Sequence, residues 1–144
     1  MKARMLFVAA TAALLVLIVA AGLPAAEPKL PALAIRFIGD APQLSEGAIT
    51  EVKVGGEFAV TLEENPSTGY TWQYTALPVD YVSESAKESF QTDPGAIVGA
   101  PVITVWKLGT VREGEVTLTF LYYRSWEKPD TAVDKKVFTV KVVK

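Results

Sequence analysis

Short runs in which apolar and polar residues alternate are the feature that most limits how this chain can fold. In the clearest run, Glu57 to Glu63, every second residue from Phe58 to Leu62 is bulky and apolar. The same alternation occurs from Val116 to Tyr122 and from Lys136 to Val142. A period of two places these side chains on one face of an extended strand, so each run predicts a strand that is buried on one side.

Weaker strand signals and turn formers fill most of the remaining sequence. Pro78 to Glu88 is polar and irregular, which predicts a helical turn or a loose crossing. No segment shows a convincing 3.6-residue period of an amphipathic helix. Seven or so short strands with regular turn signals predict an all-β protein, an immunoglobulin-like antiparallel β-sandwich without the usual disulfide. The weaker strand predictions are Leu33 to Ile38, Ile49 to Val54, Tyr70 to Leu77, Ser89 to Gln91 and Val102 to Leu108.

The N-terminal segment differs in character from the rest of the chain. Lys2 and Arg4 precede an almost unbroken apolar run from Met5 to Leu23, which ends in Pro24-Ala25-Ala26. A basic start, an apolar middle and a small-residue end predict a secretory signal peptide over residues 1–26, cleaved near the two alanines. Because the run is close to the length that crosses a bilayer, an uncleaved membrane anchor is the alternative. Either way we expect an exported domain, periplasmic or extracellular.

The length that remains after the leader allows one folded domain. Removing residues 1–26 leaves 118 of the 144 residues, which is enough for a single core and too few for two. We expect residues 27–47 to form a linker and a lead-in strand, and residues 48–144 to form the domain itself.

Composition excludes several classes of function. The chain has neither Cys nor His, which removes thiolate metal sites, disulfides, cysteine nucleophiles and the usual general base. Beyond the leader, 12 basic residues stand against 16 acidic ones, because two of the 14 basic residues are Lys2 and Arg4. A mildly acidic domain without a basic cluster is a poor candidate for nucleic-acid binding. We therefore expect no enzyme activity, cofactor, metal or nucleic-acid partner.

The acidic residues do not suggest a catalytic pair. Glu63 and Glu64 are adjacent in a strand run, so their side chains point to opposite faces, and we expect both to be solvated. A carboxylate-based hydrolase needs two carboxyl groups across a pocket, and nothing in the sequence places them there.

Three loops are the candidate functional segments: Glu64 to Tyr70, Asp93 to Pro101 and Tyr123 to Lys128, called here the first, second and third loops. They follow the second, fourth and sixth strands counted from Ile49. Successive connections in a sandwich alternate between its two ends, so these three should share one end. Loops that cluster on a rigid scaffold commonly carry binding function.

The first loop has the composition of a stiff turn. Pro66 fixes one backbone angle and restrains Asn65 to extended conformations, while Gly69 permits a positive φ. The tip, Ser67-Thr68, is then held in a compact shape that loses little entropy when it binds. The alternative is a plain turn between two strands, because Asn, Pro and Gly are common turn residues.

The hexapeptide Asn65-Pro66-Ser67-Thr68-Gly69-Tyr70 resembles the NPTTGY/F loop of the chagasin family of cysteine-peptidase inhibitors. Two further similarities occur in the same order along the chain. Gly99-Ala100 falls where the family has its glycine-rich second loop, and Tyr123 to Trp126 resembles an Arg-Pro-Trp-like third loop. The resemblance extends from about Ala48 to Val143, which is nearly the whole predicted domain.

This resemblance implies a reversible, non-covalent inhibitor of papain-like cysteine peptidases, such as cathepsin L-like enzymes, that acts as a monomer. The family's three loops form a wedge that enters the active-site cleft. Thr68 is then expected at the catalytic centre with Ser67 beside it, and Trp126 against an aromatic surface of the enzyme. The residues expected to shape or support the wedge are Pro66 and Gly69, with Asn65 and Tyr70 at the base of the first loop. Arg124 is expected either to make a polar contact with the enzyme or to support the third loop.

Two departures from the family pattern bear on this expectation. Gly99-Ala100 is followed by Pro101-Val102 rather than by more glycine, which changes how closely the second loop can approach an enzyme. Ser125 stands where the family usually has proline, which raises the cost of ordering the third loop by roughly 0.4–1 kcal/mol. The alternative function is an exported binding or adhesion module that uses the same loops on another protein partner.

Overall fold

Seven strands form two facing sheets in the computed structural model, which describes residues 29–144. The predicted signal peptide therefore lies outside the described residues. This part of the chain also has one α-helix, α1 (Ala32–Ile38), and 3-10 turns at Pro66–Thr68, Val79–Tyr81 and Pro129–Thr131. The strands are β1 (Ile49–Lys53), β2 (Glu57–Glu64), β3 (Tyr70–Leu77), β4 (Val82–Gln91), β5 (Val102–Thr110), β6 (Gly114–Arg124) and β7 (Asp134–Val143).

The two sheets have the layout of an immunoglobulin-like β-sandwich. One sheet has the order β1-β7-β6-β3, and the other has the order β2-β5-β4. Neighbouring strands are antiparallel except for β1 and β7, which run parallel with Ile49 opposite Thr139. The tight turn between β1 and β2 sends β2 into the opposite sheet, so β1 pairs with the last strand. The predicted sandwich is confirmed, and this parallel pair is its departure from a purely antiparallel arrangement.

The core lies between the sheets and is built from the alternating residues that the sequence indicates. Phe58, Val60, Leu118 and Phe120 are fully buried there. Trp106 of β5 joins them and meets Phe120 edge-on, with ring centroids 5.2 Å apart. Full burial of each such side chain contributes roughly 1.5–3 kcal/mol, so a chain without cysteine depends on this core.

The segment before β1 is not the predicted lead-in strand. Residues Leu33 to Ile38 belong to helix α1, so the strand prediction for them is wrong. Ala34 and Ile38, four residues apart, are buried against the outer face of the β2-β5-β4 sheet. The outer face is apolar where the helix packs on it. In a helix, a spacing of four residues places the side chains of Ala34 and Ile38 on the same side, so both can contact the sheet. No helix among residues 29–144 combines the length and apolar character needed to cross a bilayer.

Strand β4 is also longer than the sequence indicates. The sequence predicts a strand only for Ser89 to Gln91, but β4 extends over Val82–Gln91, including most of the stretch predicted as irregular. It lies at the edge of its sheet and exposes most side chains on both faces, so no alternation marks it. Pairing with β5 holds it in place, with a shift in register between Glu84 and Ala86.

Candidate functional site

The three loops that follow β2, β4 and β6 meet at one end of the sandwich, called here the loop edge. The side-chain amide of Asn65 in the first loop donates a hydrogen bond to the carbonyl oxygen of Gly99 in the second loop, at 3.0 Å. On the other side, the indole of Trp126 in the third loop lies against the backbone of Gly69 in the first. The predicted clustering is confirmed, and the first loop lies in the middle.

The tip of the first loop is a closed turn. The Thr68 and Gly69 N–H groups donate to the carbonyl oxygens of Asn65 and Pro66, at 3.1 and 3.0 Å. The Thr68 hydroxyl also donates to the Asn65 carbonyl oxygen, at 2.6 Å, and the Ser67 hydroxyl donates to the Asn65 side chain. Gly69 ends the turn at φ +80°, a left-handed conformation that favours glycine. These bonds give the tip the stiffness expected from its sequence.

An aromatic stack supports the base of the first loop. The ring of Tyr122 lies between Tyr70 and Trp72, with centroid distances of 5.5 and 4.8 Å. Its hydroxyl accepts a hydrogen bond from the Asn65 N–H, at 3.1 Å. The sequence does not predict this supporting role of Tyr122, although alternation along β6 places its side chain on the inward face of the strand. Tyr70 and Asn65 lie at the base of the loop, where the resemblance implied.

Glu64, the last residue of β2 and the first of the first loop, is buried, with only 5% of its surface exposed. Its carboxyl group accepts hydrogen bonds from the Trp72 N–H, at 3.1 Å, and from the Thr104 hydroxyl, at 2.7 Å. The prediction that Glu64 is solvated is therefore wrong, whereas Glu63 is exposed as predicted. Glu64 follows Leu62 by two positions, so its side chain lies on the inward face of β2. Its two hydrogen bonds there connect β3 to β5.

We expect Glu64→Ala to lower the free energy of unfolding by about 1–3 kcal/mol, because it leaves the buried Trp72 N–H without its acceptor and leaves the Thr104 hydroxyl with Ser89 as its remaining partner. Urea denaturation followed by tryptophan fluorescence measures this loss. Glu63→Ala is the matched control and should change stability by less than about 0.5 kcal/mol. Equal stability of the Glu64 and Glu63 variants would contradict the structural role given to Glu64.

The third loop presents Trp126 to solvent. Its side chain is 70% exposed although one side of the ring lies against Gly69. The Arg124 guanidinium lies 4.7 Å from the centre of the Tyr70 ring and 6.0 Å from that of Trp126. It also pairs with the Glu127 carboxylate at 3.7 Å, and the Glu127 N–H donates to the Arg124 carbonyl oxygen at 2.8 Å. Arg124 thus links the base of the first loop to the third, in a loop that has Ser125 instead of proline.

The second loop exposes two apolar residues that the sequence analysis missed. Ile97 and Val98 are almost completely exposed, next to the predicted Gly99 and Ala100. The Ala100 N–H donates to the Ile97 carbonyl oxygen at 3.1 Å, and Gly99 has φ +92°. The sequence does contain a signal for these two residues. They are an adjacent apolar pair in a loop bounded by prolines, and a solvated loop has no core into which such side chains could pack.

The loop edge combines features that are typical of a binding surface. It presents a stiff polar tip at Ser67-Thr68 between exposed apolar side chains of the second and third loops. Exposed tryptophan in such a position is a favoured anchor in protein interfaces. Among the described residues, no cluster of three potential metal-ligating side chains occurs.

The chain is similar to known proteins in both sequence and fold. Amoebiasin-2 of Entamoeba histolytica is 36% identical over 70 residues, which cover 48% of this chain and 56% of that protein. The match therefore spans little more than half the length of this relative. The crystal structure of the cysteine protease inhibitor EhICP2 from Entamoeba histolytica matches with a TM-score of 0.63 and 26% identity, over 72% of this chain and 96% of the other.

A second solved structure shares the fold. The solution structure of Amebosin matches with a TM-score of 0.53 and 24% identity, over 72% of this chain and 97% of the other.

A family model settles the relationship. The model described as chagasin family peptidase inhibitor I42 matches residues 51–142, which is more than half of the chain and includes all three loops. Because the family consists of inhibitors, the match also confirms the prediction that the chain is not an enzyme. The chain belongs to the chagasin family of peptidase inhibitors, family I42.

Proposed function

We propose that this protein is a reversible, non-covalent inhibitor of papain-like cysteine peptidases and that its loop edge enters the active-site cleft of the enzyme. The observation that carries the proposal is the convergence of three loops on one edge, with a closed central turn and an exposed Trp126 beside it. The family and the similarity to a structure described as a cysteine protease inhibitor support the same conclusion.

Preorganisation explains how such an edge inhibits without chemistry. The hydrogen bonds around Asn65 hold the tip in its turn before any enzyme is met. Binding then costs little conformational entropy, so the contacts of Thr68, Ser67 and Trp126 are available for affinity. In this mechanism Thr68 blocks the catalytic centre, the second and third loops hold the two sides of the cleft, and no bond is made or broken.

Titration of papain with the purified protein, using a fluorogenic peptide substrate, tests the proposal. We expect a stoichiometric loss of activity that is restored on dilution, and inhibition of a cathepsin L-like enzyme as well. Absence of inhibition of both enzymes at micromolar concentration, with circular dichroism showing a folded β protein, would favour a binding module that uses the loop edge on another partner.

We also infer that the inhibitor acts as a monomer. All three loops of the edge come from one chain and contact one another directly, so a second copy is not needed to complete it. Light scattering coupled to size-exclusion chromatography is expected to give the mass of one chain, and that of a one-to-one complex with papain. A dimer that dissociates on adding papain would contradict this inference.

We further propose that the protein is exported and that its leader is removed. The basic, apolar and small-residue pattern of residues 1–26 supports this proposal. Mass spectrometry of the protein recovered after expression of the full chain in a bacterial host should show a new N-terminus after Ala25 or Ala26, in the periplasmic fraction. An intact N-terminus in the membrane fraction would instead indicate an anchored inhibitor.

A further inference from the structure

Helix α1 begins at the loop edge, on the outer face of the β2-β5-β4 sheet. Leu30, just before the helix, lines a cleft together with Glu63, which directly precedes the first loop, and Ile103, which lies two residues after the second loop. Further along the helix, Phe37 meets Phe90 with ring centroids 5.6 Å apart, and the Lys107 ammonium lies 5.7 Å from the centre of the Phe37 ring. The helix therefore runs away from the loop edge, and its first turn lies beside the second loop.

An open apolar groove of about 670 Å³ lies between this first turn and the second loop. Helix residues form one wall and the end of β4 forms the floor, while Thr92 and Pro94 connect the groove to the second loop. Leu33 is 65% exposed at its rim although it is a large apolar residue. The apolar lining residues are Pro31, Ala32, Leu33, Phe37, Phe90 and Pro94.

We propose that this groove is a second contact site for the target peptidase and that it receives an apolar side chain from the enzyme surface outside the cleft. The proposal rests on the proposed function and extends it from inhibition to selectivity. An enzyme held by the second loop brings its surface against the outer flank of that loop, where the groove opens. The occupant is the peptidase because the groove is continuous with the loop edge.

Interface size supports a contact beyond the loops. A standard protein interface uses about 20–30 residues on each side. The three loops together supply roughly twenty residues, at the lower end of that range, and some of them face inward. Glu88 and Gln91 lie beside the apolar lining, so the groove has the apolar centre and polar rim that such contacts show.

Position along the chain explains why this contact would affect selectivity. The family model matches residues 51–142, so α1 lies outside the matched part of the chain. The peptidase surface away from the catalytic centre also differs more among enzymes than the centre itself. A contact between two such parts discriminates among peptidases, while the first loop acts on all of them.

The test compares Leu33→Glu with Ile35→Glu, using protein recovered after expression of the full chain. Both residues are exposed on the same short helix, at 65% and 55%, but only Leu33 lines the groove. Inhibition constants are measured with papain and two cathepsins. We expect Leu33→Glu to weaken inhibition of at least one enzyme tenfold or more and to change the order of preference among them. Ile35→Glu should stay within twofold of the unmodified protein for each enzyme.

Hydrogen–deuterium exchange of the unmodified protein with and without papain gives a second readout that needs no variant. Residues 31–37 and 88–92 should become protected together with the first loop, whereas the opposite end near Leu77 should not. Protection of the first loop alone, or equal inhibition by both helix variants and the unmodified protein, overturns the proposal while the proposed function stands. If the unmodified protein inhibits none of these peptidases, the proposed function fails, and the proposal that the groove binds the peptidase fails with it.

Discussion

Replacing Gly69 with alanine is expected to weaken inhibition of papain about 30-fold or more. Gly69 has φ +80°, so a side chain there costs about 1–3 kcal/mol in backbone strain. A Cβ would also overlap the Trp126 ring, with the Cζ3 atom at 2.9 Å, and would push the indole away from the first loop. Because each 1.4 kcal/mol is a factor of ten in affinity, a loss of about 2 kcal/mol in binding from the altered turn and the displaced indole gives the expected change.

Gly55→Ala is the matched control for Gly69→Ala. Gly55 has φ +81°, almost the same as Gly69, but it lies in the turn between β1 and β2 with no heavy atom near the position of a Cβ. Both variants should lose similar stability in urea denaturation, and only Gly69→Ala should lose inhibition. Inhibition that falls equally in both variants would show that general strain matters and that the contact with Trp126 does not.

Trp126→Ala is expected to weaken binding to papain by about 1–3 kcal/mol, because an exposed aromatic anchor commonly dominates a protein interface. The indole is 70% exposed, so the fold does not depend on it. Circular dichroism and the thermal midpoint should stay unchanged while the inhibition constant rises, and stopped-flow kinetics should place most of the effect in the dissociation rate.

Leu77→Ala is the control for Trp126→Ala. Leu77 is similarly exposed, but it ends β3 at the opposite end of the sandwich from the loop edge. It should leave inhibition unchanged. If Trp126→Ala inhibits as well as the unmodified protein, the third loop does not carry the affinity and Trp126 is not an anchor.

Much of the sandwich could be predicted because its strands carry their own signal. β2 and β6 carry bulky apolar residues at every second position, so alternation marks them, and the tight glycine-containing turn after β1 indicates where that strand ends. β3 begins and ends at Tyr70 and Leu77 as predicted, because Gly69 and Pro78 bound it. The shared end of the three loops follows from their positions after the second, fourth and sixth strands, because successive connections alternate between the two ends of a sandwich.

The errors occur where a segment owes its structure to a neighbour. Backbone pairing with β5 stabilises β4 as a strand. Packing of its apolar side against the outer sheet face around Ile103 and Phe90 stabilises α1 as a helix. β5 follows β4 across the second loop, and Phe90 and Ile103 lie far along the chain from α1, so the periodicity within β4 or α1 gave no sign of its partner. The prediction that Glu64 is solvated is wrong for a different reason. Alternation along β2 indicates its inward position, but the two hydrogen-bond donors that satisfy its buried carboxyl group come from β3 and β5.

By itself, the sequence determined the sandwich, the shared end of the loops and the stiff first turn, because alternation, strand parity and the Asn-Pro-Gly chemistry act over a few residues. Only the tertiary structure decided that Trp126 lies on Gly69, that Asn65 reaches the second loop, that Tyr122 supports the first, and that α1 borders a groove. These contacts join residues far apart in the chain. They exist because packing the two sheets brings the ends of β2, β4 and β6 together.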